Sequence, residues 1–314
     1  MKKQRDDKAS SENPIASYHV PVLLHETIEG LSIQPDGVYV DCTFGGGGHS
    51  LEVLKRLGSK GKLIAFDQDA DARKNVPEDK RIIFLPHNFR HLNRFLKLNK
   101  IVSVDGIMAD LGVSSHQFDE GERGFSTRFD GEMDMRMDQR QELKAVDLIM
   151  NYSEEQLHKL FEKYGEVTNA KTLARTIAET RQHASLKTIS NFKQAISKVV
   201  KGNPNKYFAQ VFQALRIEVN DELGVLKELL QQSVDVLHSH GRIAIITFHS
   251  LEDRIVKQFF KKGKFEEEEF EHPFEQQAPS PFRLINKKPI QPNPEEIKMN
   301  PRSRSARLRI AEKI

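Results

Sequence analysis

Short apolar runs along this chain alternate with stretches in which apolar residues recur every three or four positions. VPVLLHETIEGL reads as a short opening helix with Val22, Leu23 and Ile28 inward. GVYVDCTF (37–44) has strand composition and ends in four glycines, and HSLEVLKRLG (49–58) then places Leu51, Leu54 and Leu57 at helical spacing with Gly58 as a stop. The alternation continues with strand KLIAFD (62–67), helix DADARKNV, strand RIIFL (81–85), helix HLNRFLKL and strand VDGIMAD (104–110). Strands alternating with helices predict a parallel sheet covered on both faces.

After the fourth strand the pattern changes. Residues 111–140 are rich in Gly, Asp and Arg and read as a long functional loop. From Val146 to Lys206 the period is helical. One helix starts at Ser153, which has capping-box spacing to Gln156, and others cover 169–182 and 188–200. Helical spacing runs on from Phe208 to His238. GRIAIITF (241–248) is a buried strand, followed by helix SLEDRIVKQFF with Ser250 as its cap and Asp253 at the third position. Residues 263–281, including the acidic run Glu266–Glu269, predict a loop; RLINKKP and SARLRIAE (305–312) are the last strands. The fold expected is α/β: a doubly wound, seven-stranded sheet with an all-helical insertion after strand four.

With 314 residues and 38% hydrophobic content, the chain can build one large domain or two modest ones. The single cysteine, Cys42, rules out a disulfide framework and zinc-finger spacing, and suggests a reducing compartment. Residues 1–16 read as a flexible polar leader without a secretion signal, and no apolar run approaches the roughly 18 residues of a membrane span. A cytoplasmic protein with no membrane contact is expected. Net charge is only +3, but between Val167 and Lys206 eight Lys/Arg face one acid, Glu179. From Arg283 to Arg309 eight basic residues face two acids. Either cluster alone suits a solvated face. Together, flanking one sheet edge, they favour an RNA backbone, with Arg302 and Arg304 as loop contacts.

The chemistry concentrates where strands end. Strand one runs into Asp41-Cys42-Thr43-Phe44-Gly45-Gly46-Gly47-Gly48-His49, and Asp67 ends strand two, 19 residues after Gly48. A glycine turn lets backbone approach a ligand, and an acid at that place takes the hydroxyls of an adenosine ribose. A dinucleotide and S-adenosylmethionine both fit this outline. Ser50 breaks the dinucleotide fingerprint, and Asp41 would repel a pyrophosphate but suit a cationic ligand, which favours the methyl donor. Asp110 ends strand four. An acceptor there could draw on an N–H of an aromatic amine and help its delocalised nitrogen attack a sulfonium methyl; alternatively Asp110 only orders the loop or touches the cofactor. The set His249, Ser250, Asp253 lacks a nucleophile elbow, so a hydrolase is disfavoured, and His249 is instead a candidate for the substrate pocket. No histidine pair has zinc-ligand spacing, so no metal is expected.

These motifs resemble the bacterial ribosomal RNA small-subunit methyltransferase H family, also called MraW. The resemblance runs from Tyr18 onward through HVPVLLHETIEGL, DCTFGGGGHS, AFDQDADA, DGIMADLGVSSHQFDEGERGFS, DGEMDMRMD, FQALRIEVNDEL, ITFHSLEDRIVK and NPRSRSARLR. It implies S-adenosylmethionine-dependent methylation of N4 of a cytidine in 16S rRNA of the small ribosomal subunit, in its decoding region. It implies a methyltransferase domain over 17–125 and 215–314, with 126–214 as a helical RNA-recognition insertion. Carried over position by position, the cofactor contacts are Gly47, Gly48, His49, Asp67, Phe89, Asp110 and Gln117. Cys42, Gly46 and His116 depart from residues common at those places. Amine-methylating DNA enzymes carry an acid or amide followed by Pro-Pro-aromatic at this strand end; here the residues are Asp110-Leu111-Gly112-Val113, so a stacking aromatic must come from elsewhere, with Phe118, Phe125 and Phe129 as candidates. A DNA or small-molecule amine methyltransferase, a non-catalytic RNA-binding protein and a nucleotide-dependent oxidoreductase are the competing readings. Oligomeric state and the choice between free rRNA and assembled subunit stay open.

Overall fold

The computed structural model describes residues 21–265 and 279–314. The expected leader and the acidic run Glu266–Glu269 lie outside the described residues. Seven strands form one sheet: β1 Val38–Asp41, β2 Lys62–Phe66, β3 Ile82–Leu85, β4 Val104–Asp110, β5 Leu237–Thr247, β6 Phe282–Leu284 and β7 Arg307–Lys313. Their order is β3-β2-β1-β4-β5-β7-β6. The winding direction reverses between β1 and β4, which places a ligand crevice at their carboxyl ends.

The first five strands pair in parallel. At the far edge the sheet becomes mixed, since β7 runs antiparallel to both β5 and β6. The cause is the connection. Between Leu284 and Arg307 the chain makes only a short helix and a 3₁₀ turn, with no crossover helix to carry it to the opposite edge. Arg307 therefore starts opposite Thr247, the last residue of β5, and the strand runs back.

Pleating divides the buried residues between two faces. Val40, Ile64, Ile107 and Ile243 enter one apolar cluster, while their neighbours Tyr39, Leu63, Met108 and Ala244 enter the other. Helices α1 (Leu24–Leu31) and α2 (Gly48–Arg56) cover the second face. Helices α3 (Leu92–Leu98), α10 (Glu222–Val236) and α11 (Ser250–Lys262) cover the first. Each such buried Ile or Leu contributes about 1.5–3 kcal/mol of transfer free energy.

Between β4 and β5 lie α4 (Ser115–Asp119), α5 (Ala145–Asn151), α6 (Glu154–Gly165), α7 (Ala170–Thr180), α8 (Ile189–Ile196) and α9 (Pro204–Asn220). They bury a core of their own, with Phe161, Leu173, Phe192 and Leu215 at its centre. Ser153 and Gln156 make the reciprocal capping box at the start of α6. The single helical stretch expected from Phe208 to His238 divides into α9 and α10 at Asp221, whose φ of +48° ends one helix and begins the next. DADARKNV forms a 3₁₀ turn, Ala70–Asn75, rather than an α-helix: Val76 precedes Pro77, which keeps it extended. A helix not anticipated, α12 (Pro294–Met299), is capped by Asn293 with Pro294 at its first position. No helix among the described residues is long and apolar enough to cross a membrane.

Candidate active site

The carboxyl ends of β1, β2 and β4, together with α9, the start of α11 and the segment 300–305, enclose a cavity of about 960 Å³. Its floor at β1 is built by backbone. Gly45 and Gly47 take φ of +51° and +78°, and a side chain at Gly47 would come within 2.8 Å of the Phe44 ring. At Gly48 it would strike Pro21 at 2.2 Å. Gly48 and His49 line the cavity, whereas Gly47 acts by conformation behind it.

Asp41 does not face the ligand, which corrects the argument drawn from its charge. It is fully buried, its carboxylate accepting hydrogen bonds from Ser50 Oγ (2.6 Å) and Thr43 N (3.0 Å). Ser50, the residue that breaks the dinucleotide fingerprint, is therefore its partner, and the pair locks the elbow between β1 and α2. Burial raises the Asp41 pKa to about 6.

Asp67 follows β2. One carboxylate oxygen accepts from Gly45 N at 2.7 Å, the other from Asp69 N at 2.8 Å. Burial raises its pKa to about 6 against those two bonds. Phe89, after β3, adds an apolar wall; Asn88 beside it donates to Gln68 at 2.8 Å, which ties the ends of β2 and β3 together. Gln117 completes a capping box with Ser114 on α4 and donates to Asp69 at 2.6 Å. Its amide thus braces the loop carrying Asp67. Arg123, also buried, makes an ion pair with the same Asp69 at 2.9 Å.

Asp110 ends β4. Its backbone N–H donates to Thr43 Oγ1 at 2.7 Å. Its Oδ1 is buried without a hydrogen-bond partner, and Oδ2 lies 4.0 Å from Nδ1 of His49. Burial, with the nearby carboxylates of Asp41, Glu252 and Glu296, raises its pKa to about 8. The His49 ring, whose Nε2 lies 3.1 Å from the Val22 carbonyl, is pushed by burial down to about 4 and is neutral. No lysine or arginine side chain among the described residues bonds Asp67 or Asp110. A cationic ligand with vicinal hydroxyls and an aromatic base suits this set: an acceptor at β2, the Phe89 wall, and an uncommitted carboxyl at β4.

His249 also lines the cavity, but it corrects the cap assignment. Its ring, and not Ser250, caps α11, with Nδ1 accepting from Glu252 N at 3.4 Å and the Glu252 side chain returning the bond. Ser250 Oγ reaches Glu166 instead. Glu222, His249 and Glu252 bring ligand-type atoms within 4.8 Å of one another, a cluster that spacing did not reveal. Both Glu222 oxygens already accept from Arg216, at 2.7 and 2.9 Å. Glu222 is thus engaged by Arg216, while Nε2 of His249 lies 3.2 Å from the Glu252 carboxylate.

Arg302 reaches Asp119 at 2.5 Å and lies over the Phe118 ring at 5.3 Å, closing one side of the mouth. Arg304 is exposed. Of the aromatic candidates, Phe125 is buried in the helical core and Phe129 is 43% exposed. Sequence reasoning missed Phe212, Arg216 and Asn220 of α9 and Met135 and Met137 of the preceding loop, all of which line the cavity. Their signal was present in two quoted motifs, FQALRIEVNDEL and DGEMDMRMD, that spacing alone could not assign.

A reversed-order α/β sheet with a glycine elbow, an acid after β2 and an acid ending β4 defines an adenosyl-cofactor-dependent methyltransferase. Residues 16–314 match the model of the MraW methylase family, and the chain belongs to that family. It is 55% identical over 298 residues to a Flavobacterium johnsoniae protein named ribosomal RNA small subunit methyltransferase H, covering 95% of this chain and 98% of the relative. Proteins of the same name from Parabacteroides distasonis and Bacteroides thetaiotaomicron are 53% and 51% identical, over 96% and 95% of this chain and 100% and 98% of theirs.

Proposed function

We propose that this chain methylates N4 of a cytidine in small-subunit ribosomal RNA, using S-adenosylmethionine. The observation that carries the reading is the unpartnered Asp110 carboxyl, which borders a cavity closed on its other side by the helical insertion. Gly48, His49, Asp67 and Phe89 would hold the cofactor, with Gly47 setting the elbow and Gln117 fixing the Asp67 loop. When bound, the cofactor supplies an electrophilic methyl group. Asp110 has the opposite task. Its carboxylate accepts an N–H of the exocyclic amine and keeps the nitrogen lone pair directed at its target. Beside a cationic ligand its proton leaves more readily, so the group becomes an acceptor when it is needed.

The target base must leave its stack to reach this depth. Residues 126–214 act as the RNA-recognition domain in this reading, although α9 runs through the boundary at 214/215. Lys187, Lys198, Lys201 and Lys206 are exposed there and Arg304 is exposed near the opposite rim. Arg302 joins them by exchanging its exposed Asp119 partner for phosphate. His249 supports the chamber wall from its place at the start of α11. A ribosomal substrate also places the protein in the cytoplasm. Mass mapping of methylated nucleosides in rRNA from cells with and without this protein tests the reading. Loss of one N4-methylated cytidine is expected. Unchanged rRNA, or methyl transfer to DNA instead, would refute it.

A further inference from the structure

The cavity is larger than its cofactor end requires. At about 960 Å³ it sits near the top of the range for a single small-molecule site, about 300–1,000 Å³. Beyond the cofactor-side residues, its lining includes the segments that follow β4 and β5 and residues of α9. Asp110 pairs with Ile246 across those strands, and Phe248 follows two residues later. A side chain at Gly112 would lie 3.8 Å from the Phe248 ring, so the loop leaving β4 passes against that ring. Phe212 and Met135 supply further apolar wall. Apolar walls of this kind suit a flat aromatic ring.

Charged groups line this part of the cavity too, Arg216, Glu222 and Glu252 among them. Arg216 of α9 has its Nε and Nη2 bound to the two oxygens of Glu222, with side chains 15% and 9% exposed. That two-pronged pair fixes the guanidinium plane. Nη1 makes no hydrogen bond among the described residues, while the side chain lines the cavity. Arg216, Asp110 and Glu252 all line this one cavity.

We propose that Arg216, held by Glu222, reads the N3 and O2 acceptors of the target cytosine and thereby sets base specificity. The inference rests on the rRNA-cytidine reading above. Cytosine carries an amine donor at position 4 and acceptors at N3 and O2. An acceptor at Asp110 and a fixed donor edge at Arg216 match that order. Uracil presents an N–H at position 3, which would meet the guanidinium donor to donor, and a buried mismatch of that kind is strongly rejected. Arg216 is a specificity residue in this account, and Glu222 positions it.

The test changes the RNA as well as the protein. Small subunits are reconstituted with rRNA whose target cytidine, located by the nucleoside mapping, is replaced by 3-deazacytidine, which lacks the N3 acceptor. Binding to the full-length protein is measured in the presence of S-adenosylhomocysteine. Loss of a hydrogen bond to a charged donor should weaken wild-type binding roughly 10- to 100-fold. Arg216→Met, which loses the O2 contact as well, should bind ordinary subunits at least as weakly as wild type binds the deaza form, and should be indifferent to the replacement. Arg216→Lys should recover part of the discrimination, and Glu222→Gln should reduce it. Equal wild-type affinity for both RNAs would overturn the proposal whether or not any variant folds. So would a further drop for Arg216→Met on the deaza form, or equal loss on both RNAs with a shallower salt dependence, which would make Arg216 a phosphate contact. Failure of the wild type to bind any subunit would instead remove the underlying reading.

Discussion

The ends of β2 and β4 lie on either side of β1, and each presents an aspartate to the same cavity, yet they are built in opposite ways. Asp67 has a backbone N–H on each oxygen, donated from nearby turns. Asp110 has one oxygen buried without a partner and the other 4.0 Å from a neutral His49. The first is a finished acceptor that holds its shape without a ligand. The second keeps a carboxyl oxygen that no protein group engages. The proposed function gives binding chiefly to Asp67 and the amine to Asp110, and that contrast can be attacked experimentally.

The largest effect is expected at β4. Asp110→Ala should lower kcat about a thousandfold, within the range for loss of a proton acceptor, while cofactor binding weakens far less; steady-state and single-turnover rates on small subunits check this. A comparable loss of affinity with an unchanged kcat would erase the distinction. At β2, Asp67→Ala should weaken cofactor binding roughly 10- to 100-fold, with kcat at saturation within a few-fold of wild type, as calorimetry and kinetics together would show. Gly47→Ala should destabilise the fold by about 1–2 kcal/mol, because the left-handed φ and the Phe44 contact both penalise a side chain. A denaturant midpoint measures it. The smallest effect belongs to the rim: Lys201→Ala should weaken RNA binding only about two- to fivefold and reduce the salt slope by about one.

The same contrast explains what was legible in the sequence. The cofactor end is assembled largely from short-range chemistry: a strand followed by glycines and an acid in register after the next strand. Such signals survive in a one-dimensional reading. Asp41 was noticed for its charge and misplaced, because only the fold shows that Ser50 takes it inward. The substrate end draws together Met135, Phe212 and Phe248 from three separate segments, and Asn220 bonds to Met135 and Met137 across more than eighty residues. No local pattern announces such contacts. Reversal of β7 was hidden for a related reason: its direction depends on which edge the preceding connection occupies. His249 shows a smaller failure, since histidine is a rare cap and Ser250 beside it is a common one.

Asp110 provides the most direct test. Its pKa near 8 in the ligand-free protein means that it carries a proton at pH 7. A cationic cofactor favours the carboxylate, so affinity should rise with pH up to about 8 and level off above it. Calorimetric titration of S-adenosylmethionine at pH 7, repeated in buffers of different ionisation enthalpy, counts the protons released on binding. The account predicts release of about one proton by wild type and little by Asp110→Asn. Release of none by wild type, or equal release by both proteins, would contradict it.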